Sequence, residues 1–469
     1  MSANDTSAHN AGPSRRQLLA GATAVAAAAV APTVGTTPTA AAAVLEPAPD
    51  RFDGLVATSW LDLARTLIKT TPGYSPPVAA RALGYIGLTL YEAVAPGSRD
   101  YRSLAWVLPY PPDLPRGQAG LHWPAVANAA LAEIMRGLFA TTPDPNKAAI
   151  ADLERSFVEG FQPEAHPRRL ARSVLRGRTV AQRVFEWSAS DGGHEGYLRN
   201  FPPSYVPMIG PGLWVPTPPG FQPALQPFWG ANRCFVLGSG ADCPPGDHTP
   251  YSAEPSSTFY AQAVEVYDAV NNLTPEQREI AIFWSDDPGP TATPPGHSIS
   301  IATQVLRAER ASLMTAAETY LKVGLAVSDA FVACWNAKYR YNLLRPITYI
   351  RDRIDPAWAP LLNTPPFPEY PSGHSVQSGA AFTVLADLFG PRYSFVDHTH
   401  DQRGLPARGF DTFGDAAREA ALSRLYGGIH FRPAIELGLR QGECIGRAVN
   451  TLPVRRHTYR DLAQRSSFA

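Results

Sequence analysis

Three short segments in the second half of the chain carry residues suited to binding a tetrahedral oxyanion. The segments are KYRYNLLRP at 338–346, PSGH at 371–374 and SRLYGGIH at 423–430. They supply three cations, two imidazoles, a hydroxyl and a glycine N–H: Lys338, Arg345, Arg424, His374, His430, Ser372 and Gly373. Cationic donors and free backbone N–H groups hold phosphate or vanadate, and an imidazole beside the anion transfers a proton or attacks as a nucleophile.

The first segment continues a strong helical pattern over 313–337. Lys338 and Arg345 are seven residues apart, so on one helix they share a face about 10 Å apart along the axis. Pro346 disfavours helical geometry at the residue before it, which predicts that the helix ends at Arg345. Taken alone, a lysine and an arginine at this spacing are more typical of a solvated basic surface.

The other two segments lie at predicted helix ends. Ser372 and Gly373 open a helix over 374–389, where the hydroxyl, the free N–H groups and the helix dipole favour an anion, and His374 follows directly. Arg424 closes a helix over 412–426, a glycine pair breaks it, and His430 precedes the next helix. Each segment alone is also compatible with an ordinary helix cap and a structural histidine.

Helical periodicity dominates the rest of the chain, so we predict an all-α fold: a large helical protein, two packed helix bundles with long Pro-rich loops. The predicted helices are 54–69, 78–95, 122–140, 147–161, 167–189, 257–271, 275–285, 297–311, 313–337, 374–389, 412–426 and 433–450. The predicted regions are an export signal at 1–43, an N-terminal helical region at 44–255 and an oxyanion-binding bundle at 256–469. Residues 190–250 and 390–411 are predicted loops.

Composition and the N-terminus restrict the partners and the location. The 469 residues hold 41 basic and 41 acidic side chains, and this balance excludes nucleic acid as the main partner. Arg15 and Arg16 precede a weakly apolar, Ala-rich run, which indicates twin-arginine export to a secreted or extracytoplasmic location. That run is a weak candidate for a permanent membrane span, and no later stretch is long and apolar enough for one. No oligomeric state is predicted.

Four cysteines and a histidine-rich loop offer further sites. Cys234 and Cys243 flank a Gly/Ser-rich loop and are candidates for a disulfide after export, whereas Cys334 and Cys444 lie in helical patterns and are expected as buried thiols. His398, His400 and Asp401 alternate in a loop, a spacing that does not favour a metal site there. His297 is expected to cap a helix.

Read in order, the three segments resemble the shared site of vanadium-dependent haloperoxidases and type 2 phosphatidic acid phosphatases. The resemblance is tight over 338–430 and looser over about 280–450. It implies that five groups bind the oxygens of the oxyanion: Lys338, Arg345, Ser372, the Gly373 N–H and Arg424. It implies that His430 is the axial vanadium ligand or a phosphate-accepting nucleophile, and that His374 is the acid–base.

Neighbouring residues favour the haloperoxidase branch. Trp335 lies three residues before Lys338 as in haloperoxidases, Phe367 takes the place of a halide-pocket aromatic, and Asp287 (or Asp286) is expected to pair with Arg424. The implied reaction uses vanadate, hydrogen peroxide, a halide and a small organic acceptor, and gives a hypohalous acid equivalent. The alternative is a soluble exported acid phosphatase that acts through a phosphohistidine and needs no cofactor.

One position departs from the phosphatase pattern. That pattern places an aspartate four residues after the last histidine, where it orients the ring, but this chain has Ala434 there. Glu436 is near in sequence but points in another helical direction. The partner of the second nitrogen of His430 is therefore not given by the motif and stays open, with a backbone carbonyl as one candidate.

Overall fold

Thirteen α-helices build the part of the chain that the computed structural model describes, residues 47–109 and 111–456. They are α1 (Leu55–Thr70), α2 (Pro76–Val94), α3 (Trp123–Leu138), α4 (Asp144–Phe161), α5 (Pro167–Ser188), α6 (Thr258–Asn271), α7 (Pro275–Phe283), α8 (Thr293–Ala308), α9 (Leu313–Tyr341), α10 (Pro346–Arg353), α11 (Gly373–Phe389), α12 (Phe413–Tyr426) and α13 (Arg432–Asn450). The all-α prediction is confirmed. The predicted export signal lies outside the described residues, and none of the described helices has the length and apolarity to cross a membrane.

The helices form two packed groups that share α9. On one side α2 packs against α9 and α3 packs against α5, and on the other α11 packs against α13, α12 and α9. Long predicted loops are confirmed over 190–250, where the structure has only short 3-10 turns. The predicted loop 390–411 also contains an antiparallel pair of strands, β1 (Phe395–Asp397) and β2 (Arg408–Phe410).

Glycines let the central helices approach closely enough to fix the site. A Cβ at Gly87 of α2 would lie 2.2 Å from the Tyr320 carbonyl oxygen of α9. A Cβ at Gly442 of α13 would lie 2.1 Å from the Val376 carbonyl oxygen of α11. Both distances are too short for any real side chain, so these backbone contacts depend on glycine. These two glycine contacts fix the positions of α9 and α11, which carry site residues, and of α13, which begins just after His430.

The predicted continuous helix through Arg345 is wrong. Helix α9 ends at Tyr341, and Asn342 adopts the left-handed conformation with φ 49°, where its N–H donates to the Lys338 carbonyl. Asparagine tolerates this C-terminal conformation better than most residues. Arg345 is instead the extended N-cap of α10, which the sequence analysis missed and which Pro346 starts.

The candidate disulfide between Cys234 and Cys243 does not form. The bond instead joins Cys243 to Cys444, 201 residues apart, and Cys234 and Cys334 are free and buried. Cys334 is therefore a buried thiol as predicted, whereas Cys444 is not. The bond ties the long Pro-rich loop to α13, a tertiary contact that local spacing does not reveal.

Replacing Cys243 with serine is expected to lower the free energy of unfolding by about 2–5 kcal/mol, because the bond restricts a long loop in the unfolded chain. Urea unfolding of the purified oxidised protein, followed by circular dichroism, measures this. A thiol reductant serves as the control, since it should destabilise the wild type and leave the variant unchanged. Equal unfolding midpoints for the two oxidised proteins would contradict the prediction.

Candidate active site

The structure brings the sequence-predicted oxyanion residues to one buried place on α9 and the helices that follow it. Lys338 lies in the last turn of α9, Arg345 caps α10, Arg424 lies in the last turn of α12, and His430 lies in the connection to α13. Ser372, Gly373 and His374 form the start of α11, where the Ser372 hydroxyl accepts the Ser375 N–H. The side chains of Lys338, Arg345, Arg424 and His374 all act electrostatically on His430.

Lys338 is fully buried and held by backbone carbonyls alone. Its Nζ donates to the carbonyl oxygens of Pro368, Glu369 and Pro371 at 2.9, 2.9 and 2.6 Å. Burial, together with the nearby charge of Arg345, lowers the pKa of Lys338 to about 7. These carbonyls fix the ammonium group in place without neutralising its charge.

The two arginines are anchored in the same way. Arg345 donates to the carbonyls of Phe367 and Ile429, and Arg424 donates to the carbonyl of Trp284. Burial lowers the pKa of each guanidinium to about 10. None of the three site cations has an ion pair with a carboxylate of the described chain. Buried positive charge without a counter-ion is costly, so the pocket favours an anion.

His430 is held by a carboxylate that the sequence analysis did not identify. Its Nδ1 lies 2.9 Å from Glu369 Oε1, and the same oxygen accepts the Phe431 N–H at 2.9 Å. We therefore assign the Nδ1–H as donor to Glu369, which leaves the lone pair on Nε2. Arg345 Nη1 lies 3.2 Å from that Nε2. The partner that the sequence analysis left open is therefore the Glu369 carboxylate and not a backbone carbonyl.

Glu369 is remote from His430 in sequence, which explains why the motif did not reveal it. The two residues are 61 positions apart, and Glu369 lies just before the PSGH segment. Burial raises the pKa of Glu369 to about 7, while Arg345 and Lys338 favour its charged form. The available signal was an acidic residue between aromatics and prolines in PFPEYPSGH.

Burial keeps both site histidines neutral. It lowers the pKa of His430 well below the usual value, and the neighbouring Arg345 and Lys338 lower it further. Burial and then Arg424 likewise lower the pKa of His374. Within the described structure His374 Nε2 has no hydrogen-bond partner. Two neutral imidazoles therefore lie beside three cations: His430, whose Nε2 lone pair faces Arg345, and His374, whose Nε2 is unpartnered.

Comparison with known proteins decides the family. The solved structure of the first bacterial vanadium-dependent iodoperoxidase is 35% identical, with a TM-score of 0.80. The match covers 88% of this chain and 99% of that one. This chain belongs to the vanadium-dependent haloperoxidase family.

Two further matches agree with this haloperoxidase assignment, and a third shows the same fold. The VCPO second helical-bundle domain family matches residues 318–457, the region that holds every predicted oxyanion ligand. Vanadium chloroperoxidase from Curvularia inaequalis is 26% identical over 470 residues, covering 77% of this chain and 75% of its own. A bacterial vanadium-dependent chloroperoxidase structure, 17% identical, shares the fold with a TM-score of 0.64 over 82% of this chain and 93% of its own.

The haloperoxidase pocket has an aromatic wall. The rings of Trp335 and Phe367 are 4.9 Å apart between centroids. Lys338 Nζ lies 5.0 Å and Arg345 Cζ lies 4.9 Å from the Phe367 ring centre. The structure therefore places both predicted supporting aromatics at the site, with Phe367 between two cations.

The predicted pairing of Arg424 with Asp287 is only indirect. Asp287 is the carboxylate that most favours the charged form of Arg424, followed by Asp286, but neither forms a direct ion pair with it among the described residues. Asp286 instead contacts His297 at 2.8 Å. His297 lies within α8 and caps no helix, so that expectation is wrong.

A cavity of about 570 Å³ opens beside the oxyanion residues. His374, Phe367 and Asp287 line its inner part. The exposed surface of the cavity is mainly apolar, with Ile68, Tyr74, Phe201, Leu225, Pro365 and Pro366 in the remaining wall beside polar residues such as Lys69, Asn200 and Gln222. The cavity gives a small molecule access to His374.

The residues present fit vanadate. Three buried cations lack a carboxylate ion pair in the described chain, His374 Nε2 is unpartnered, and His430 Nε2 has a lone pair. The space beside Gly373 is open, because a Cβ built there would meet only the Trp335 ring, at 3.6 Å. An anion can therefore approach the Gly373 N–H without displacing protein atoms.

Replacing Gly373 with alanine is expected to weaken vanadate binding by at least about tenfold, because the methyl group occupies that open space. Folding stability should change by no more than about 1 kcal/mol, since alanine is the better helix former. Vanadate titration and thermal unfolding measure the two effects. Gly160→Ala in α4 is the matched control, because a Cβ there meets nothing within 4 Å. Equal vanadate affinities of the two variants would contradict the prediction.

Proposed function

We propose that this protein uses bound vanadate to oxidise a halide with hydrogen peroxide, giving a hypohalous acid equivalent that halogenates a small organic acceptor. The observation that carries the proposal is a neutral His430 whose Nε2 lone pair lies among three buried cations. The chloroperoxidase and iodoperoxidase relatives support the same reaction and do not favour the phosphatase alternative.

Each site residue has a separate task in this reaction. Bound vanadate would supply a Lewis acid that activates peroxide without a change of oxidation state. His430 Nε2 would ligate vanadium, and Glu369 keeps that nitrogen unprotonated. The oxygen-binding groups would be Lys338, Arg345, Arg424, the Ser372 hydroxyl and the Gly373 N–H. Their fixed positions stabilise developing negative charge without reorganisation.

His374 is suited to moving the proton of hydrogen peroxide. Its Nε2 has no partner in the described structure and its ring lines the access cavity. The pKa is low because the ring is buried beside Arg424, and an anion in the pocket would oppose that effect. His374 would therefore accept a proton at Nε2 once the oxyanion is bound, and return it to the leaving oxygen.

The residues that line the pocket would orient the reactants and exclude water. Lys338, anchored by three carbonyls, would present its charge to the reacting oxygen. Phe367 would contact the halide and Trp335 supports Phe367 from behind. The largely apolar cavity would admit a small organic acceptor.

We also propose that the protein acts outside the cytoplasm after twin-arginine export. The paired arginines near the N-terminus carry this proposal. The Cys243–Cys444 disulfide supports it, because such bonds persist in oxidising compartments.

The test is halogenation of a phenol dye by the purified protein with hydrogen peroxide and iodide, bromide or chloride in turn. The protein is first freed of vanadate and then assayed before and after addition of orthovanadate. Activity that appears only with orthovanadate is the expected result. No halogenation with any halide, together with phosphomonoester hydrolysis that orthovanadate inhibits, would overturn the proposal in favour of the phosphatase.

A further inference from the structure

A second cluster of titratable side chains lies next to the oxyanion site, and one of its members, Asp286, also lines the access cavity of that site. It consists of Asp286, His297 and His400, which come from the turn before α8, from α8 itself and from the loop after β1. One potential ligand atom from each lies within 4.8 Å of the others. All three side chains are at least 97% buried.

Two atoms in this cluster lack hydrogen bonds. Asp286 Oδ1 and His400 Nε2 are 3.3 Å apart, yet neither has a hydrogen-bond partner of acceptable geometry in the described chain. Leaving buried polar atoms unpaired is costly. A cation between them would satisfy both.

The third ligand is already oriented from behind. His297 Nε2 lies 2.6 Å from Asp397 Oδ2, so an Nε2–H donated to that carboxylate leaves Nδ1 as the ligand atom. Asp397 Oδ1 in turn accepts the N–H and the hydroxyl of Thr399 at 2.9 and 2.6 Å. A carboxylate that holds the far nitrogen of a metal-binding histidine is the usual outer shell of zinc sites.

We propose that Asp286, His297 and His400 bind a divalent transition-metal ion of the zinc class. Two imidazoles and one carboxylate are a donor set that Zn²⁺ and Co²⁺ accept in tetrahedral geometry. The cluster lines a cavity of about 530 Å³, so a water molecule can take the fourth position. In the structure His297 Nδ1 lies 2.8 Å from Asp286 Oδ2, a contact that the metal ion would replace.

The ion would steady the oxyanion site at a distance. The Trp284 ring stacks on His297, with centroids 4.5 Å apart and planes 18° from parallel. The Trp284 carbonyl accepts a hydrogen bond from Arg424 at 2.8 Å. A metal that joins the turn, α8 and the loop after β1 therefore fixes a partner of Arg424 without touching the oxyanion.

The sequence analysis did not favour a metal site at His398, His400 and Asp401, and only His400 of these three belongs to the cluster. His398 is exposed and pairs with Asp401 at 3.0 Å, whereas His400 points inward to Asp286. The neighbouring histidines therefore provide a matched pair of variants. His400→Ala removes a proposed ligand and His398→Ala does not.

Titration of untagged, metal-stripped full-length protein with Co²⁺ and Zn²⁺ tests the proposal, with no vanadate, peroxide or halide present. We expect one Co²⁺ per chain with a tetrahedral absorption spectrum, displaced by one Zn²⁺. His400→Ala should bind at least about 100-fold more weakly, and His398→Ala should match the wild type. Absence of stoichiometric binding by the wild type, or undiminished binding by His400→Ala, would overturn the proposal.

A second measurement keeps the test decisive if His400→Ala does not fold. X-ray absorption of the zinc-loaded wild type should show two imidazole nitrogens and oxygen ligands at about 2.0–2.2 Å. A shell without imidazole would overturn the assignment. Asp286→Asn, which preserves the side-chain shape, should weaken binding with circular dichroism like that of the wild type. Undiminished binding by this variant would count against the site.

Discussion

Replacing His430 with alanine is expected to lower vanadate-dependent halide oxidation by at least about 10²–10³-fold, with weaker vanadate binding. His430 Nε2 carries the lone pair that would ligate vanadium, and Arg345 Nη1 lies 3.2 Å from this nitrogen. Without the imidazole, the three cations would still attract the anion, but no protein atom would ligate vanadium from that side. Initial rates over an orthovanadate titration separate the loss of affinity from the loss of turnover.

His398→Ala is the control for this experiment. His398 is an exposed histidine whose ring contacts Asp401, outside the oxyanion pocket. Its activity should stay within about twofold of the wild type, in line with an ordinary surface substitution. A His430→Ala variant that folds normally and keeps more than a tenth of the wild-type rate at saturating vanadate would refute the assigned role.

Replacing Glu369 with glutamine is expected to weaken vanadate binding by about 10–100-fold, the usual cost of removing the partner that orients a metal-binding histidine. The amide keeps the shape and can still accept the Phe431 N–H, but it no longer offers a charged acceptor to His430 Nδ1–H. Without that charged acceptor, the His430 tautomer with its proton on Nδ1 and its lone pair on Nε2 is less strongly favoured. Glu369 acts through His430, so it is a positioning residue.

The readouts for Glu369 must separate positioning from simple loss of folding. The dissociation constant for vanadate should rise in Glu369→Gln, while the unfolding midpoint changes little. Glu369→Asp should recover part of the affinity, because it restores the charge on a shorter side chain. Glu436→Gln is the control, since Glu436 is the acid closest in sequence to the missing aspartate and lies on the solvent side beside Arg432. If Glu369→Gln and Glu436→Gln bind vanadate equally, Glu369 does not orient His430.

Local patterns predicted most of the architecture and every candidate oxyanion ligand. Twelve helices follow from apolar periodicity, and the Ser372 cap and the break before His430 follow from residue preferences within a few positions. These features depend on interactions between residues close in the chain, and the spacing of residue types records such interactions. For the same reason, the three motif segments identified the family before any fold was known.

Pairings between distant segments could be decided only by the tertiary structure. Glu369 meets His430 across 61 residues, His297 meets Asp397 across 100, and Cys243 joins Cys444 across 201. The left-handed Asn342 also ends α9 before Arg345. Lys338 and Arg345 therefore approach the site from two helices instead of along one face. Buried charged groups pair wherever helix packing brings them together, and the spacing of residues along the chain does not indicate that packing.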